Sequence, residues 1–547
     1  METDFTRGRN PESFCAAVAM RLSRRFKESE FARLLSDTGR AAGVSRMKAA
    51  LANGAGAPSI AIVGAGPGGL AMAARLKSAG LSTVALFEKG TQVGGTWFDN
   101  HYPGAACDVP AYLYSFSFGP QAHWSRKYPT QPEILEYFET FAAHFDLSEH
   151  VHLETEVLGA TWDQDRLCWT VNLKDLREGS VRSEDFDIVI NAVGQLSRPA
   201  IPSIPGLAER TAPVMHSARW DDSVDLAGKR VGVIGNGASA LQFIPPVAEQ
   251  AESLVVFQRS ANWVLPKNDR AFTSTELARV RRFPALGRLY RWWIYWGLEL
   301  RFALVRRESP LTRRLNETIV SRLQPLISEK LPAAAVVPDY PLGCKRILIS
   351  NDYYKTLLRP NVTVQLAPIV EVTETDVRCA DGSVIPADVL LLGTGFESTE
   401  FLAPMSFVGR HGVTLNDVWS AGAEAYLGLA VAGFPNLFII YGPNTNLGHN
   451  SILFMIEAQT RYIMGLIEDM VCDGIGAVEV RPDVMDQFNS KIGALTEKTV
   501  WAESCHSWYK NESGKITNNW PGFSIVYWNR LRRRNRTEFI LHARNPK

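Results

Sequence analysis

The chain has 547 residues, length for two or three domains with separate cores. Hydrophobic residues make up 46% and charged residues 21%, and 58 Lys+Arg against 57 Asp+Glu leave a formal charge of +1. That balance excludes a general attraction to nucleic acid or anionic lipid, so any anion must be bound locally. Seven scattered cysteines, none in C-x-x-C spacing, argue against a disulfide framework, a zinc site or a thiol redox pair.

In chain order, residues 1–57 read as a helical extension, with spaced apolar positions in "ESEFARLLSDTGRAAG" ending near glycine. The only apolar N-terminal run, "FCAAVAM", is too short for a signal-peptide core. Then "PSIAIVGAGPGGLAMAARLKSAGLSTVALFEKG" predicts strand, glycine turn, helix and strand. Gly64 allows the tight turn, Gly66 lets backbone approach a pyrophosphate, and Gly69 permits close helix–strand packing. The helix N-terminus favours phosphate charge. Glu88 ends the second strand, where a carboxylate can accept bonds from both ribose hydroxyls. The unit therefore predicts a dinucleotide with a free 2′-hydroxyl.

The segment "DFDIVINAVGQLSRP" (185–199) is an apolar strand running into a glycine turn, and "PADVLLLGTGFES" (386–398) is another. They read as the two crossings by which the chain leaves and re-enters its first domain. Between them, "KRVGVIGNGASALQFIPPVAEQAESLVVFQRS" repeats the nucleotide pattern as Gly235-x-Gly237-x-x-Ala240. Its second strand ends in Gln258-Arg259-Ser260 rather than an acid. Arginine can hold a 2′-phosphate that a carboxylate would repel, so this unit predicts NADPH rather than NADH. An insert at about 270–340 is helical and rich in Trp, Tyr and Arg. Its run "RLYRWWIYWGLELRFALVRR" (288–307) is interrupted by Arg291, Glu299 and Arg301, so no apolar span of roughly 18 residues survives. An amphipathic helix that packs its aromatics internally is expected, with a membrane surface or a partner as the alternative. Finally "PNLFIIYGPNTNLGHNSILFMIEAQ" (435–459) reads as a buried strand, a polar loop and a helix whose N-terminus can face a cofactor.

These elements predict an α/β chain with two Rossmann-like dinucleotide-binding domains, a helical insert and an N-terminal helical extension. The expected divisions are 1–57, 58–199, 200–387 and 388–547, the last with the C-terminal tail.

Within this frame, "GGTWFDNHYPGAACD" (94–108) matches the G-G-x-W-x4-Y-P-G-x3-D signature, and the chain resembles the Baeyer–Villiger monooxygenases over roughly residues 58–525. A second signature of that family, F-x-G-x3-H-x3-W, is kept only at His216 and Trp220, with Arg210 and Ala212 where Phe and Gly are expected. The loop "GPNTNLGHNS" and the tail "SWYKNESGKITNNWP" look most like the branch that includes 4-hydroxyacetophenone monooxygenase, which points toward aryl, cyclic or bulky ketones.

The resemblance implies FAD in the first domain and NADPH in the second. It also implies molecular oxygen as co-substrate and conversion of a ketone to an ester or lactone through a C4a-peroxyflavin, with sulfoxidation as a side activity. Such chemistry needs a permanent cation near the flavin, and arginine keeps its proton at working pH. The matching residue in "YPLGCKRILISNDYY" is Arg346, with Asp108 as its ion-pair partner and Lys345 on the NADPH 2′-phosphate. Trp97 would cover the flavin, and Trp508 would close over cofactor and substrate. The further flavin contacts expected are Gly64, Gly66, Gly68, Gly69, Glu88, Gly95, Thr96, Asp108, Tyr114, Val157 and Gln195. Those expected on the second nucleotide are Asn236, Gly237, Ala238, Ser239, Ala240, Gln242, Arg259, Ser260, Lys345 and Arg346. His216 reads as structural, His449 as a positioning residue in a flavin-side loop, and Cys107 and Cys344 as small packing residues. No metal ligand set is visible.

A heteroatom-oxidising flavin monooxygenase is the nearest alternative, and a non-catalytic or membrane-associated relative a remote one. A disulfide reductase would need a cysteine pair where this chain has Trp97. The expected setting is cytoplasmic, with no nucleic-acid partner and no transmembrane segment. A homodimer contact through residues 1–57 is left open.

Overall fold

The computed structural model describes residues 41–120, 123–307, 310–502 and 507–544. Most of the helix expected in "ESEFARLLSDTGRAAG" lies outside them; the described part of the extension is the helix Ala41–Ala52.

Two five-stranded sheets carry the fold, and every pairing in them is parallel. In space the first runs Leu437–Ile439, Ile188–Asn191, Ile60–Val63, Val84–Phe87, Val151–His152. The second runs Val362–Gln365, Ser253–Phe257, Arg230–Ile234, Val389–Leu392, Val214–His216. Ile60–Val63 and Ile188–Asn191 are buried at every position, as a sheet covered on both faces requires. In each sheet the strand order reverses beside the strand that feeds the glycine turn, and crevices for nucleotides open at such points beyond the strand ends.

The strand Val389–Leu392 pairs in register with Val231–Ile234 and so belongs to the second sheet. The return crossing therefore follows Leu392, a few residues beyond the expected division at 387/388. An apolar run cannot announce which of two similar parallel sheets it will join. The crossing at 185–199 does run from the first sheet, through Ile188–Asn191.

The insert is helical: Ser274–Arg282, Pro284–Glu299 and Pro310–Leu323 are its main helices. Thr273 opens the first with a capping box, its side chain accepting from the Glu276 N–H while Glu276 reaches back to Thr273. Among the described residues no helix is long and apolar enough to cross a membrane, and no cluster of metal-ligating side chains occurs.

Candidate active site

The strand Ile60–Val63 runs into Gly64, whose φ of +96° is the left-handed region that glycine tolerates. Gly66 follows in extended backbone and caps the helix Pro67–Ser78, with Pro67 in the first turn where no N–H is needed. The loop 94–95 folds back on this turn so closely that a Cβ on Gly95 would lie 2.8 Å from the Gly66 Cα. Two bare glycine backbones thus meet at a helix N-terminus, a cradle for a phosphate. Glu88 accepts from the Ala65 N–H at 2.7 Å and the Gly90 N–H at 2.8 Å. Burial raises its carboxyl above the usual range, although both bonds oppose that. Each carboxylate oxygen retains a lone pair for a further donor.

The second turn repeats the geometry: Gly235 has φ +97°, and Gly237 caps the helix Ala238–Gln250. Lys345 donates to the Ser260 hydroxyl at 3.1 Å and sits 4.3 Å from the centroid of the Tyr340 ring. Burial first, then the nearby Arg259 charge, lowers its ammonium below the ordinary lysine value. Among the described residues neither Arg259 nor Lys345 has a carboxylate within 4.0 Å. Two neighbouring cations with no carboxylate in contact among the described residues make an anion site.

One cavity of about 1410 Å³ joins the two turns. That exceeds the roughly 300–1,000 Å³ common for a single small-ligand pocket. It is lined by every site residue expected from sequence except Gly69 and Ala240. Those two pack instead: a Cβ on Gly69 would lie 1.9 Å from the Gly64 carbonyl oxygen, and Ala240 fills the space where a Cβ on Gly393 would come within 2.8 Å. Both are the third position of their motif, whose work is helix–strand contact.

At the junction of the two halves, Arg346 donates to one oxygen of Asp108 from Nε at 2.9 Å and from Nη2 at 2.6 Å. Their side chains are 27% and 29% accessible, and both line the cavity. Burial alone would raise the Asp108 carboxyl, but the charge and hydrogen bonds of Arg346 outweigh it and hold it below its usual range. Arg346 is correspondingly raised, chiefly by the Asp108 charge. The Nη1 donors of Arg346 are not used by Asp108. Trp97 lines the wall beside this pair, its Nε1 donating to Tyr114 Oη at 3.0 Å.

Comparison with known proteins places this architecture. Residues 57–290 match the model of the flavin-binding monooxygenase-like family. A Baeyer–Villiger monooxygenase of Streptomyces coelicolor is 38% identical over 483 residues, covering 88% of this chain and 92% of the relative. This chain belongs to the Baeyer–Villiger monooxygenases. Another, from Pseudomonas aeruginosa, is 39% identical over 470 residues, covering 85% and 88%. The crystal structure of OTEMO in complex with FAD and NADP superposes with a TM-score of 0.80 at 27% identity, over 89% of this chain and all of that one.

Other parts of this monooxygenase explain the departures from the family pattern. Arg210, where Phe is expected, donates to the carbonyls of Thr373 and Ala387 at 2.6 Å each, tying the linker by hydrogen bonds in place of an aromatic contact. Trp220 is kept and packs with Phe243 and with Tyr102 of the Tyr-Pro-Gly turn. Tyr102 Oη also donates to Gln242 at 2.9 Å, and the Gln242 amide donates to the Ala106 carbonyl, so Gln242 joins the two halves as well as lining the cavity. His216 accepts from the Ala218 N–H on Nδ1, which leaves Nε2 to donate to the Gly395 carbonyl at 2.9 Å. Burial lowers its pKa, and with both nitrogens engaged it has no face for proton transfer.

His449 does not reach the cavity. It packs on Phe302, with Nε2 3.5 Å from Glu299, and its neighbour Asn450 reaches the wall instead. Glu299 is fully buried and accepts from Asn450, Ser524 and the Ile525 N–H at 2.8, 2.7 and 3.0 Å, locking the insert to the C-terminal region. Cys107 is a buried free thiol that burial and the Asp108 charge push up, so it is no nucleophile. Cys344, expected as a small packing residue, is buried but disulfide-bonded, which corrects that reading. Scattered spacing carries no pairing signal.

Several residues near the ion pair escaped the sequence reading, which named only Gln195 among them. Tyr441 and Tyr509 both face Arg346, and burial pushes the Tyr509 hydroxyl up to about 12, so it stays neutral. Gln195 donates to the carbonyls of Tyr441 and Gly442, and its own carbonyl accepts from Asn518 of the tail at 3.3 Å. Asn446 donates to Asn519 at 2.7 Å. These neutral amides knot three separate segments over the cavity. The only sequence trace of the knot is the Asn richness of "GPNTNLGHN" and "ITNNW".

Proposed function

We propose that FAD occupies the first-sheet half of the cavity and NADPH the second, and that the enzyme converts aryl, cyclic or bulky ketones to esters or lactones. Ketone, oxygen, NADPH and a proton give ester, water and NADP⁺. The observation that carries this reading is the Arg346 guanidinium, fixed by Asp108 in a cavity between two glycine turns. When bound, the flavin takes electrons from NADPH and activates oxygen for transfer to the ketone.

The chain's own residues then have distinct tasks. The Gly64–Gly66–Gly95 cradle and Glu88 suit the pyrophosphate and ribose of FAD; Arg259 and Lys345 suit a 2′-phosphate. Arg346 holds negative charge on a reacting oxygen without giving up a proton, since its pKa lies above even the ordinary arginine value. Trp97, Leu447, Leu453 and Ile456 add apolar wall that keeps water from that charge. The 441–450 loop and the tail around Trp508, resembling the 4-hydroxyacetophenone branch, supply the substrate side.

Replacing Arg259 and Lys345 together by Ala is expected to lower kcat/KM for NADPH by roughly 10²-fold, about tenfold for each lost charge-assisted contact. NADH turnover should change only a few-fold, and steady-state rates with both coenzymes check this. Product analysis by mass spectrometry, with a ketone panel, a thioether control, NADPH and oxygen, tests the reaction itself. Esters or lactones are expected, with some sulfoxide. Sulfoxide alone, with every ketone intact, would assign the chain to heteroatom oxidation.

A further inference from the structure

The helix Pro284–Glu299 buries one side and leaves the other bare. Ile294, Tyr295, Trp296 and Leu298 are in the core, whereas Leu286 is 45%, Leu289 61% and Trp293 42% exposed. Positions 286, 289 and 293 follow the i, i+3, i+7 spacing of one helical stripe. Phe283, 53% exposed, extends it past the helix N-terminus. Tyr290 stacks on Trp293 with ring centroids 6.1 Å apart and planes 12° from parallel, which widens the aromatic platform.

The charge around this stripe has one sign. From Leu277 to Leu298 the sequence carries Arg279, Arg281, Arg282, Arg288 and Arg291 and no carboxylate. Arg291 points inward and pairs with buried Glu457 at 3.4 Å. The other four are exposed, and among the described residues none has a carboxylate within 4.0 Å. The nearest acid in sequence, Glu276, is taken by Arg270.

We propose that this face docks on a bilayer surface containing anionic phospholipid, with Phe283, Leu286, Leu289 and Trp293 in the headgroup–acyl boundary and the arginines on lipid phosphates. An interface-lying helix combines an apolar stripe with flanking cations in this way, and aromatic rings favour that depth. A second copy of the chain fits worse, because a two-fold contact through this face sets arginine against arginine. The helix is 16 residues long and ends on the buried Glu299, so it lies along the surface and does not cross. The proposal is independent of the reaction assigned to the cavity.

Co-sedimentation of the full-length, flavin-loaded protein with vesicles tests it. The protein is expected to pellet with phosphatidylcholine–phosphatidylglycerol vesicles, to stay in solution with phosphatidylcholine alone, and to be released by salt. Leu286→Glu with Leu289→Glu should weaken binding about tenfold or more, as should Arg281→Ala, Arg282→Ala and Arg288→Ala combined. Both variants should keep the flavin spectrum and ketone turnover of the parent. Wild type left in solution with both vesicles overturns the proposal, as do variants that bind equally well. So does a wild-type dimer, seen by light scattering, that Leu289→Glu dissolves, because the face would then join two copies.

Discussion

Arg346→Ala is expected to cut ester formation steeply while NADPH is still consumed. Losing one preorganised donor to a developing oxyanion lowers turnover by about 10²–10³-fold, or roughly 3–4 kcal/mol. Here the same side chain also supplies the charge, so the upper end is expected. Oxygen should then appear as hydrogen peroxide instead of ester, a split that coupled peroxide and product assays resolve. Arg346→Lys keeps a charge but loses the planar fork that meets Asp108 from both Nε and Nη2, and should recover only part of the activity. Full ester yield from Arg346→Ala would remove this residue from the reaction.

Two glycine variants three residues apart are expected to separate folding from cofactor binding. In Gly69→Ala the new Cβ meets the Gly64 carbonyl oxygen at 1.9 Å, backbone against backbone with no flexible side chain to yield. Destabilisation above about 3 kcal/mol is expected, with the flavin lost as well. In Gly66→Ala the nearest protein atom is the Gly95 Cα at 3.5 Å, an ordinary contact, and the backbone at φ −75° suits any residue. That methyl instead projects where a pyrophosphate must approach. Gly66→Ala should therefore melt like the flavin-stripped parent and purify without yellow colour. Thermal melting and visible absorbance of the two variants check both outcomes; a yellow Gly66→Ala would place the phosphates elsewhere.

Most of the fold was legible because each nucleotide unit is local: strand, glycine turn and helix follow one another within about 30 residues. The strand Val389–Leu392 was misplaced because its apolar sequence fits either parallel sheet, and only pairing with Val231–Ile234 decides. The site was legible through motif spacing. Asp108 and Arg346 lie far apart in sequence, and nothing in composition or periodicity joins them. The family signature did, and the ion pair is present. Of the neutral scaffold around it Gln195 was expected on the flavin, but Tyr441, Asn446, Tyr509 and Asn518 are common residue types whose meaning arises only when separate segments converge. Gly69 was already read as a packing glycine, and Ala240 stands at the matching position of the second motif. They belong to nucleotide motifs, yet they serve packing behind the ligand surface.

The central claim is that Asp108 and Arg346 act as one unit, a cation held in place by its counter-ion. A double-mutant cycle on ester turnover, using wild type, Asp108→Ala, Arg346→Ala and the double variant at fixed flavin occupancy, measures it directly. Asp108→Ala should lower turnover on its own, because Arg346 loses both hydrogen bonds that aim it. The double variant should be no slower than Arg346→Ala alone, the non-additivity of residues that work together. Losses that multiply, with the double variant slower by the product of the two single effects, would contradict it.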